Sequence, residues 1–309
     1  MPCTIGSSYT IKSGDTLANI AAVKLGDGSR WREIKKPDGN PFTEEEARNL
    51  QIGQEICIPN GSTPPPLGNG FAGIVSCQTY EAMFPNRNGL YSYDSLVAAT
   101  GKYGQFCNSG SDEQRKREAA AFLANIAHET TGGWDAAPGG RYAWGLYYVE
   151  EVGCENGGCT QYCDASNTRY RCVPGKTYHG RGPIQLSWNY NYGQVGEALG
   201  VDLLANPDLV KLDGAIAFQT ALWFWMTPQP PKPSCHAVMT GGWMPSPDDV
   251  SKGRAPGFGM TINIINGGLE CSIPTNDKVR DRVGFYERFT QMLGVSMGEN
   301  VYCDRMAHY

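Results

Sequence analysis

The segment STPPPLGNG, residues 62–70, divides the chain into two parts of very different size. It is rich in proline and glycine and shows no apolar period, which is typical of a semi-extended linker. The 61 residues before it suffice for a small module, whereas residues 71–309 can enclose a large core. We therefore predict a small module at 1–61, a linker at 62–70 and one large domain at 71–309.

The charge and apolar patterning exclude several classes of partner. The net charge is −5 and no basic run occurs, so we expect neither a nucleic-acid nor an anionic-membrane partner. No apolar run reaches the length of a membrane span. The four histidines lack metal-ligand spacing, so we expect no metal and no cofactor, and we expect a monomer.

Eleven cysteines point to an oxidising compartment. One Gly/Asn-rich stretch holds four of them, Cys154, Cys159, Cys163 and Cys172, which predicts loops joined by disulfides. A structural zinc site is the alternative, although no paired CxxC knuckles occur. We expect a secreted protein whose signal peptide is not within these residues, and Asn60 begins a glycosylation sequon.

The first module shows a strand–helix–helix–strand pattern. YTIKSGDTLANIA (9–21) alternates like a strand and then takes helical spacing, and QEICIP alternates again near the end of the module. Cys3 and Cys57 flank the pattern and could clasp it. Residues 8–60 resemble a lysin motif (LysM), a small βααβ module that binds polymers of N-acetylglucosamine. The resemblance implies sugar contacts at Gly14, Asp15, Thr16, Gln51, Ile52 and Gly53.

For Gly14 and Asp15, a simple turn and helix cap is an equally good explanation. Because the motif occurs once, its affinity should be weak, and it should serve mainly as a tether.

Helical signals dominate the large domain. Residues 111–129 begin with a capping box formed by Ser111 and Gln114 and continue with an i, i+3, i+4 apolar stripe. Further helices are predicted at 213–228, with an Asp cap and a stop before Pro228, and at 281–294, ending on a glycine. Strands and helices do not alternate along this part of the chain, so we expect no parallel sheet. We predict a mainly α domain with long, disulfide-linked loops.

Glu129 stands out among the glutamates. It ends the 111–129 helix, where the last carbonyls present negative potential that favours the protonated carboxyl. The Thr-Thr-Gly-Gly turn after it leads to Trp134, an aromatic wall suited to a sugar ring. A protonated carboxyl is what a general acid requires. Most other glutamates, including Glu118 and Glu197, are expected to be simply solvated.

Glycosidic cleavage also needs an ionised carboxylate across the scissile bond. Glu150 and Glu151 enter the Gly-rich cysteine loop, and the residues alone do not choose between them. YHGRGPIQLSWNYNYG (178–193) is dense in sugar-bonding side chains beside aromatic ones, which favours a ligand cleft over a polar loop.

Long motifs carry a second resemblance. AFLANIAHETTGGW, YAWG, GRGPIQLSWNYNYG, TALWFWMTPQPPKPSCH and PGFGMTINIINGGLEC are similar to a plant-type family 19 chitinase, over residues 71 to about 303. The resemblance implies an α-rich, lysozyme-like fold and an endo-acting enzyme. It further implies that chitin and chito-oligosaccharides are cleaved at β-1,4 links between N-acetylglucosamine units, with inversion.

The resemblance also assigns roles. It makes Glu129 the general acid and places the general base seven residues after Trp144, at Glu151. It also implies that Ser187 helps to hold the attacking water. The carboxyls should then lie roughly 6.5–9.5 Å apart. The implied substrate-binding residues are His128, Thr131, Trp134, Gln185, Tyr190, Asn191, Asn266 and Arg282. An ion pair with a glutamate is an alternative for Arg282, and His128 is a candidate for orienting Glu129.

Disulfide pairing follows the family in part. Tyr147 stands where the family usually has a cysteine, so we expect Cys77 to pair with Cys107. The extra Cys154 and Cys159 should pair with each other, and Cys235 remains as a free thiol. Cys163–Cys172 and Cys271–Cys303 match family pairings.

Two other functions compete with a chitinase. One is cleavage of bacterial peptidoglycan, a related amino-sugar polymer. The other is a catalytically inactive, lectin-like chitin-binding protein, which the presence of Glu129, Glu151 and Ser187 together disfavours.

Overall fold

The computed structural model describes residues 3, 7–12, 15–17, 20–21, 24, 31, 33–43, 46–47, 49–58, 70–155 and 158–309. Residues 1–69 and 70–309 form two compact units. The predicted contact at Gly14, the sequon at Asn60 and linker residues 62–69 lie outside the described residues.

The N-terminal unit contains a two-stranded antiparallel sheet. Strand β1 (Ser7–Thr10) pairs with β2 (Glu55–Ile58), and Ser7 lies opposite Ile58. The predicted Cys3–Cys57 disulfide is present. The strands therefore agree with the LysM pattern, whereas the two helices expected between them fall largely outside the described residues. A small core fills the unit, formed by Ile11, Leu17, Ile20, Ala21, Ile34, Phe42, Ile56 and Ile58.

Residues 70–309 are helical, as predicted. A short 3₁₀ helix occupies Arg141–Ala143. The α-helices are α1 (Phe71–Ile74), α2 (Cys77–Met83), α3 (Tyr93–Thr100), α4 (Asp112–Glu129), α5 (Asn189–Leu199), α6 (Leu209–Leu212), α7 (Gly214–Met226), α8 (Cys235–Thr240), α9 (Pro247–Ser251), α10 (Phe258–Glu270) and α11 (Asp277–Met292). In the described part of the chain, no helix combines the length and apolar character needed to cross a bilayer.

Helix α4 is the centre of this domain. The capping box predicted for Ser111 and Gln114 is formed, and residues 118–127 are all buried. Small alanine side chains let neighbouring helices approach closely, and α4 packs against α11 and α8. The core of the domain therefore surrounds the helix that ends at Glu129.

The other predicted helix boundaries agree in part. The Asp213 side chain accepts a hydrogen bond from the Ile216 N–H and caps α7, as predicted. Helix α11 begins at Asp277 rather than 281, because the Asn276 side chain caps it one turn earlier by accepting from the Val279 N–H.

Glu118 corrects one expectation. It is not solvated but fully buried. Its carboxylate accepts hydrogen bonds from the Cys107 N–H at 2.9 Å and the Trp225 indole at 3.0 Å, and it lies 2.6 Å from His236 Nδ1. These partners provide the hydrogen bonds that a buried carboxylate requires.

The disulfides agree with all but one predicted pair. Cys77 and Cys107 are both free: Cys77 is exposed in the first turn of α2, while Cys107 lies in the apolar core. Cys235 is also free and buried. Since the four loop cysteines are oxidised, they have no thiolates to offer zinc. The bonded pairs are Cys154–Cys159, Cys163–Cys172 and Cys271–Cys303.

Candidate active site

The carboxyl of Glu129 is paired with the buried guanidinium of Arg282. Arg282 Nη2 donates to Glu129 Oε1 at 2.5 Å and to Glu270 Oε1 at 2.9 Å, and its Nε donates to Glu270 Oε2 at 2.9 Å. Its Nη1 donates to Asn125 Oδ1 at 3.1 Å. Burial lowers the pKa of the guanidinium, but the two carboxylates outweigh burial and raise it.

Two expectations need correction here. Arg282 has no exposed surface and is paired with Glu129, so the structure agrees with the ion-pair alternative and not with a direct sugar contact. The end of the helix is also not the only electrostatic influence on Glu129, because the Arg282 guanidinium opposes the negative potential of the helix terminus. Among the described residues, Glu129 Oε1 carries the hydrogen bond of this carboxyl, which leaves Oε2 for a ligand.

His128 is anchored beside Glu129. Its Nδ1 lies 2.6 Å from Asp281 Oδ2, and Arg141 Nε lies 2.9 Å from Asp281 Oδ1. The arrangement fixes the imidazole ring, while its effect on Glu129 stays a prediction.

A cleft of about 230 Å³ gathers five of the predicted residues. Its polar lining consists of Glu129, Gln185, Ser187, Asn191 and Asn266. Apolar side chains complete it, namely Ile184, Leu186, Phe224 and Ile265. A few convergent polar groups in an apolar depression are the usual composition of a ligand site.

The polar side chains of this cleft are fixed by local hydrogen bonds. Gln185 has a φ of 51° in a tight turn, and its Nε2 donates to the Gly182 carbonyl at 3.0 Å. Asn191 Nδ2 donates to the Ser187 carbonyl at 2.9 Å. Asn266 forms a kink in α10, with φ −143°, and its Nδ2 donates to Glu270 Oε1 at 2.7 Å.

Glu151 lies on a loop and is held by two donors. The Tyr162 hydroxyl donates to Oε1 at 2.8 Å and the Gly180 N–H donates to Oε2 at 3.2 Å. Burial and the bond to Glu151 raise the pKa of Tyr162, so its hydroxyl remains a donor. A Cβ on Gly180 would lie 2.7 Å from Gln185 Oε1, so the segment that holds Glu151 touches the cleft containing Glu129.

Glu150 has a different role from its neighbour. Lys211 Nζ lies 2.8 Å from Glu150 Oε2, and His179 Nε2 lies 3.1 Å from the same oxygen. Burial raises the pKa of Glu150, but these two partners outweigh it and lower the pKa overall. Since Lys211 already pairs with Glu150, Glu151 remains the candidate for the ionised carboxylate.

The remaining predicted contacts lie outside the lining of that cleft. Trp134 is 50% exposed, and its ring centroid lies 5.4 Å from that of Trp144. Thr131 Oγ1 accepts from the Gly133 N–H at 3.0 Å. Tyr190 stacks on Trp188 with centroids 5.9 Å apart. Their sugar contacts stay predictions.

The LysM positions are described apart from Gly14. Asp15 Oδ2 accepts from the Lys12 N–H at 2.8 Å and from the Tyr9 hydroxyl at 2.9 Å, which favours the turn-and-cap explanation for this residue. Thr16 and Gln51 are exposed, Ile52 is 72% exposed, and Gly53 has a φ of 87°.

Four residues that sequence reasoning missed complete the site, namely Asn125, Tyr162, Glu270 and Asp281. Each acts through another side chain, and no local pattern marks it.

One carboxyl in a cleft and a second on the adjoining loop is the arrangement that glycoside hydrolases use. The family model described as chitinase class I matches residues 74–303, and the LysM domain model matches residues 9–24. The chain therefore belongs to the class I chitinase family, glycoside hydrolase family 19, and carries a LysM domain.

Individual relatives agree with this assignment. Chitinase 3 of Oryza sativa subsp. japonica is 51% identical over 258 residues, covering 81% of this chain and 79% of that protein. Inactive chitinase-like protein 1 of Hevea brasiliensis is 51% identical over 243 residues, covering 76% of each chain. Chitinase C from Streptomyces griseus HUT6037 has a similar structure, with a TM-score of 0.62 and 42% identity, covering 76% of this chain and 99% of that one.

Proposed function

We propose that this protein is an endo-acting chitinase that hydrolyses β-1,4 links between N-acetylglucosamine units with inversion. The observation that carries the proposal is the pair of held carboxyls. Arg282 fixes one oxygen of Glu129 in the cleft, and Tyr162 and Gly180 fix Glu151 on the adjoining loop. Family membership supplies the substrate class.

The reaction uses the two carboxyls in opposite protonation states. Glu129 donates its proton to the leaving glycosidic oxygen, while Glu151 takes a proton from a water molecule held by Ser187 on the other face of the sugar. Inversion needs room for that water, so the proposal requires carboxyls roughly 6.5–9.5 Å apart. A closer pair, near about 5 Å, would fit a covalent intermediate instead.

Overall identity does not separate active from inactive relatives. Chitinase 3 from rice and the inactive chitinase-like protein from Hevea are both 51% identical to this chain. What supports activity is this chain's own set of residues, since Glu129, Glu151 and Ser187 are all present.

Isosteric substitution tests the assignment. Glu129→Gln and Glu151→Gln should each abolish hydrolysis of chito-oligosaccharides while oligomer binding persists, because only the proton transfers are lost. Glu197→Gln is the matched control, and it should retain turnover because Glu197 is exposed and lies outside the lining of the cleft.

Product analysis completes the test. NMR of the first products should show the inverted α-anomer, and turbidity of bacterial walls should not fall if chitin rather than peptidoglycan is the substrate. Turnover by Glu129→Gln would remove the acid assignment, and an inactive wild type that still binds oligomers would favour the lectin-like function.

The LysM domain supplies a tether to insoluble chitin in this proposal. A single weak module raises the local concentration of enzyme on the polymer without taking part in the chemistry. The four disulfides in the described residues fit an extracellular location, which we propose together with a monomeric state.

A further inference from the structure

A second groove adjoins the catalytic residues and has no role in the proposed reaction. It measures about 340 Å³ and is lined by residues 86–88, 147–150 and Glu155. Tyr147 and Tyr148 form its aromatic side and are 40% and 41% exposed. The size lies within the range of roughly 300–1,000 Å³ found for small-molecule sites.

Backbone hydrogen bonds tie this groove to both catalytic segments. The N–H groups of Tyr147 and Tyr148 both donate to the carbonyl of Thr130, at 3.1 and 3.0 Å, and Thr130 directly follows Glu129. Glu150 lines the groove and directly precedes Glu151. The groove is therefore built on the same two backbone segments that carry Glu129 and Glu151.

The two tyrosines continue an aromatic surface. Ring centroids lie 5.4 Å apart for Trp134 and Trp144, 5.4 Å for Trp144 and Tyr147, and 5.0 Å for Tyr147 and Tyr148. The Tyr147 ring packs on Gly132, where a Cβ would lie 2.6 Å from it. Exposed aromatic rings in a row, flanked by polar groups, are typical of a binding surface.

Polar groups with unused hydrogen-bonding capacity face the same groove. Asn86 donates through Nδ2 to the Ala143 carbonyl at 3.1 Å, and Asn88 accepts through Oδ1 from the Leu90 N–H at 3.0 Å. Within the described residues, Asn86 Oδ1 and Asn88 Nδ2 have no further hydrogen bond, so one acceptor and one donor remain for a ligand. Arg87 offers less, because Glu81 pairs with it at 2.6 Å.

We propose that this groove binds one further hexosamine unit of the substrate chain, beyond the sugars on either side of the scissile bond, with Tyr147 as the stacking residue. The inference rests on the proposed chitinase function. Tyr147 is the residue that joins Trp144 to Tyr148 in the row of rings, and it is 40% exposed at the edge of the groove. The groove thus sets the length of chain that this enzyme prefers.

Substrate length gives the test. In Tyr147→Ala, kcat/KM for the N-acetylglucosamine hexasaccharide should fall roughly tenfold, while the shortest cleaved oligomer should be almost unaffected. Tyr147→Phe should keep the hexasaccharide rate because the ring remains. Tyr302→Ala is the matched control, since Tyr302 is 46% exposed and lines neither groove.

Equal losses on short and long oligomers would overturn the proposal, since they would indicate a structural effect on the turn that contains Gly132. Unchanged rates on both would overturn it as well.

A crystal structure of Glu129→Gln with the hexasaccharide separates this proposal from the proposed function. Sugar density over Tyr147 supports the subsite even if the wild type proves inactive. An empty groove beside an occupied cleft refutes the subsite while leaving chitin hydrolysis intact.

Discussion

Replacing Arg282 by methionine tests whether one buried cation supports both the core and Glu129, the proposed general acid. Arg282 has no exposed surface and binds Glu129, Glu270 and Asn125. Methionine fills a similar volume but leaves Glu270, which is also buried, without its cation. The structure therefore predicts loss of both stability and hydrolysis.

The expected magnitude follows from the burial of the pair. Removing one partner of a buried ion pair costs about 3–5 kcal/mol, because the remaining charge stays desolvated. In a domain of this size each kcal/mol shifts Tm by about 2–4 °C, so Tm should fall by about 6–20 °C.

The pH dependence gives a sharper signature. Burial raises the pKa of Glu270, but Arg282 outweighs burial and holds the pKa below its ordinary value. Such a carboxyl stabilises the fold above its unfolded pKa of about 4.3, and this contribution is lost as pH falls through the folded pKa. In Arg282→Met the largest influences that lower the pKa of Glu270 are gone and only weaker ones, such as the bond from Asn266, still oppose burial, so the pKa rises and protonation of Glu270 relieves the variant. The difference in unfolding free energy should therefore be largest near neutral pH and shrink on acidification.

Urea unfolding followed by tryptophan fluorescence at several pH values measures this difference. Six of the seven tryptophans lie within residues 70–309, so the signal reports mainly the catalytic domain. A loss below about 1 kcal/mol at neutral pH would refute the reasoning, since that is the size of an ordinary substitution. A loss that grows on acidification would refute it equally.

The double variant Arg282→Met/Glu270→Met separates folding from catalysis. With both charges gone, most of the stability should return, because apolar replacement of a buried pair is close to neutral. Hydrolysis should stay low, since Glu129 still lacks its partner. Recovered hydrolysis would reject Arg282 as a positioning residue.

Two further predictions concern the base and the tether. Tyr162→Phe removes the 2.8 Å hydrogen bond to Glu151 and should lower kcat about tenfold, with little change in KM or Tm. An unchanged kcat would show that the Gly180 N–H alone holds the carboxylate. Ile52→Asp, at a position 72% exposed, should lower activity on insoluble chitin and leave soluble oligosaccharides unaffected, and equal rates on both substrates would contradict the tether.

Features encoded by adjacent residues were predictable from the sequence. The Ser111–Gln114 capping box and the Asp213 cap each depend on side chains three residues apart, so the pattern itself fixes the helix start. The start of α11 at Asp277 was not predicted, although the Asn276 side chain caps it in the same way. Motif resemblance supplied the catalytic candidates.

Features that depend on distant partners were not predictable. Glu118 looks like any helical glutamate, and its burial follows from His236, 118 residues further along the chain. The role of Arg282 follows from Glu129, 153 residues before it, and from Glu270. The freedom of Cys77 and Cys107 likewise depends on packing, which puts one thiol inside the core and the other at the surface.

Because α4 is enclosed by the rest of the domain, the two sides of the cleft that contains Glu129 should differ in mobility. Residues 118–127 are surrounded by protein, so the amides leading to Glu129 should be among the slowest to exchange with deuterium. The opposite side, from 144 to 188, contains no α-helix among its described residues and is built from turns and short bridges. We therefore expect Glu129 to stay fixed and the side that bears Glu151 to make most of the adjustment when substrates of different bulk bind.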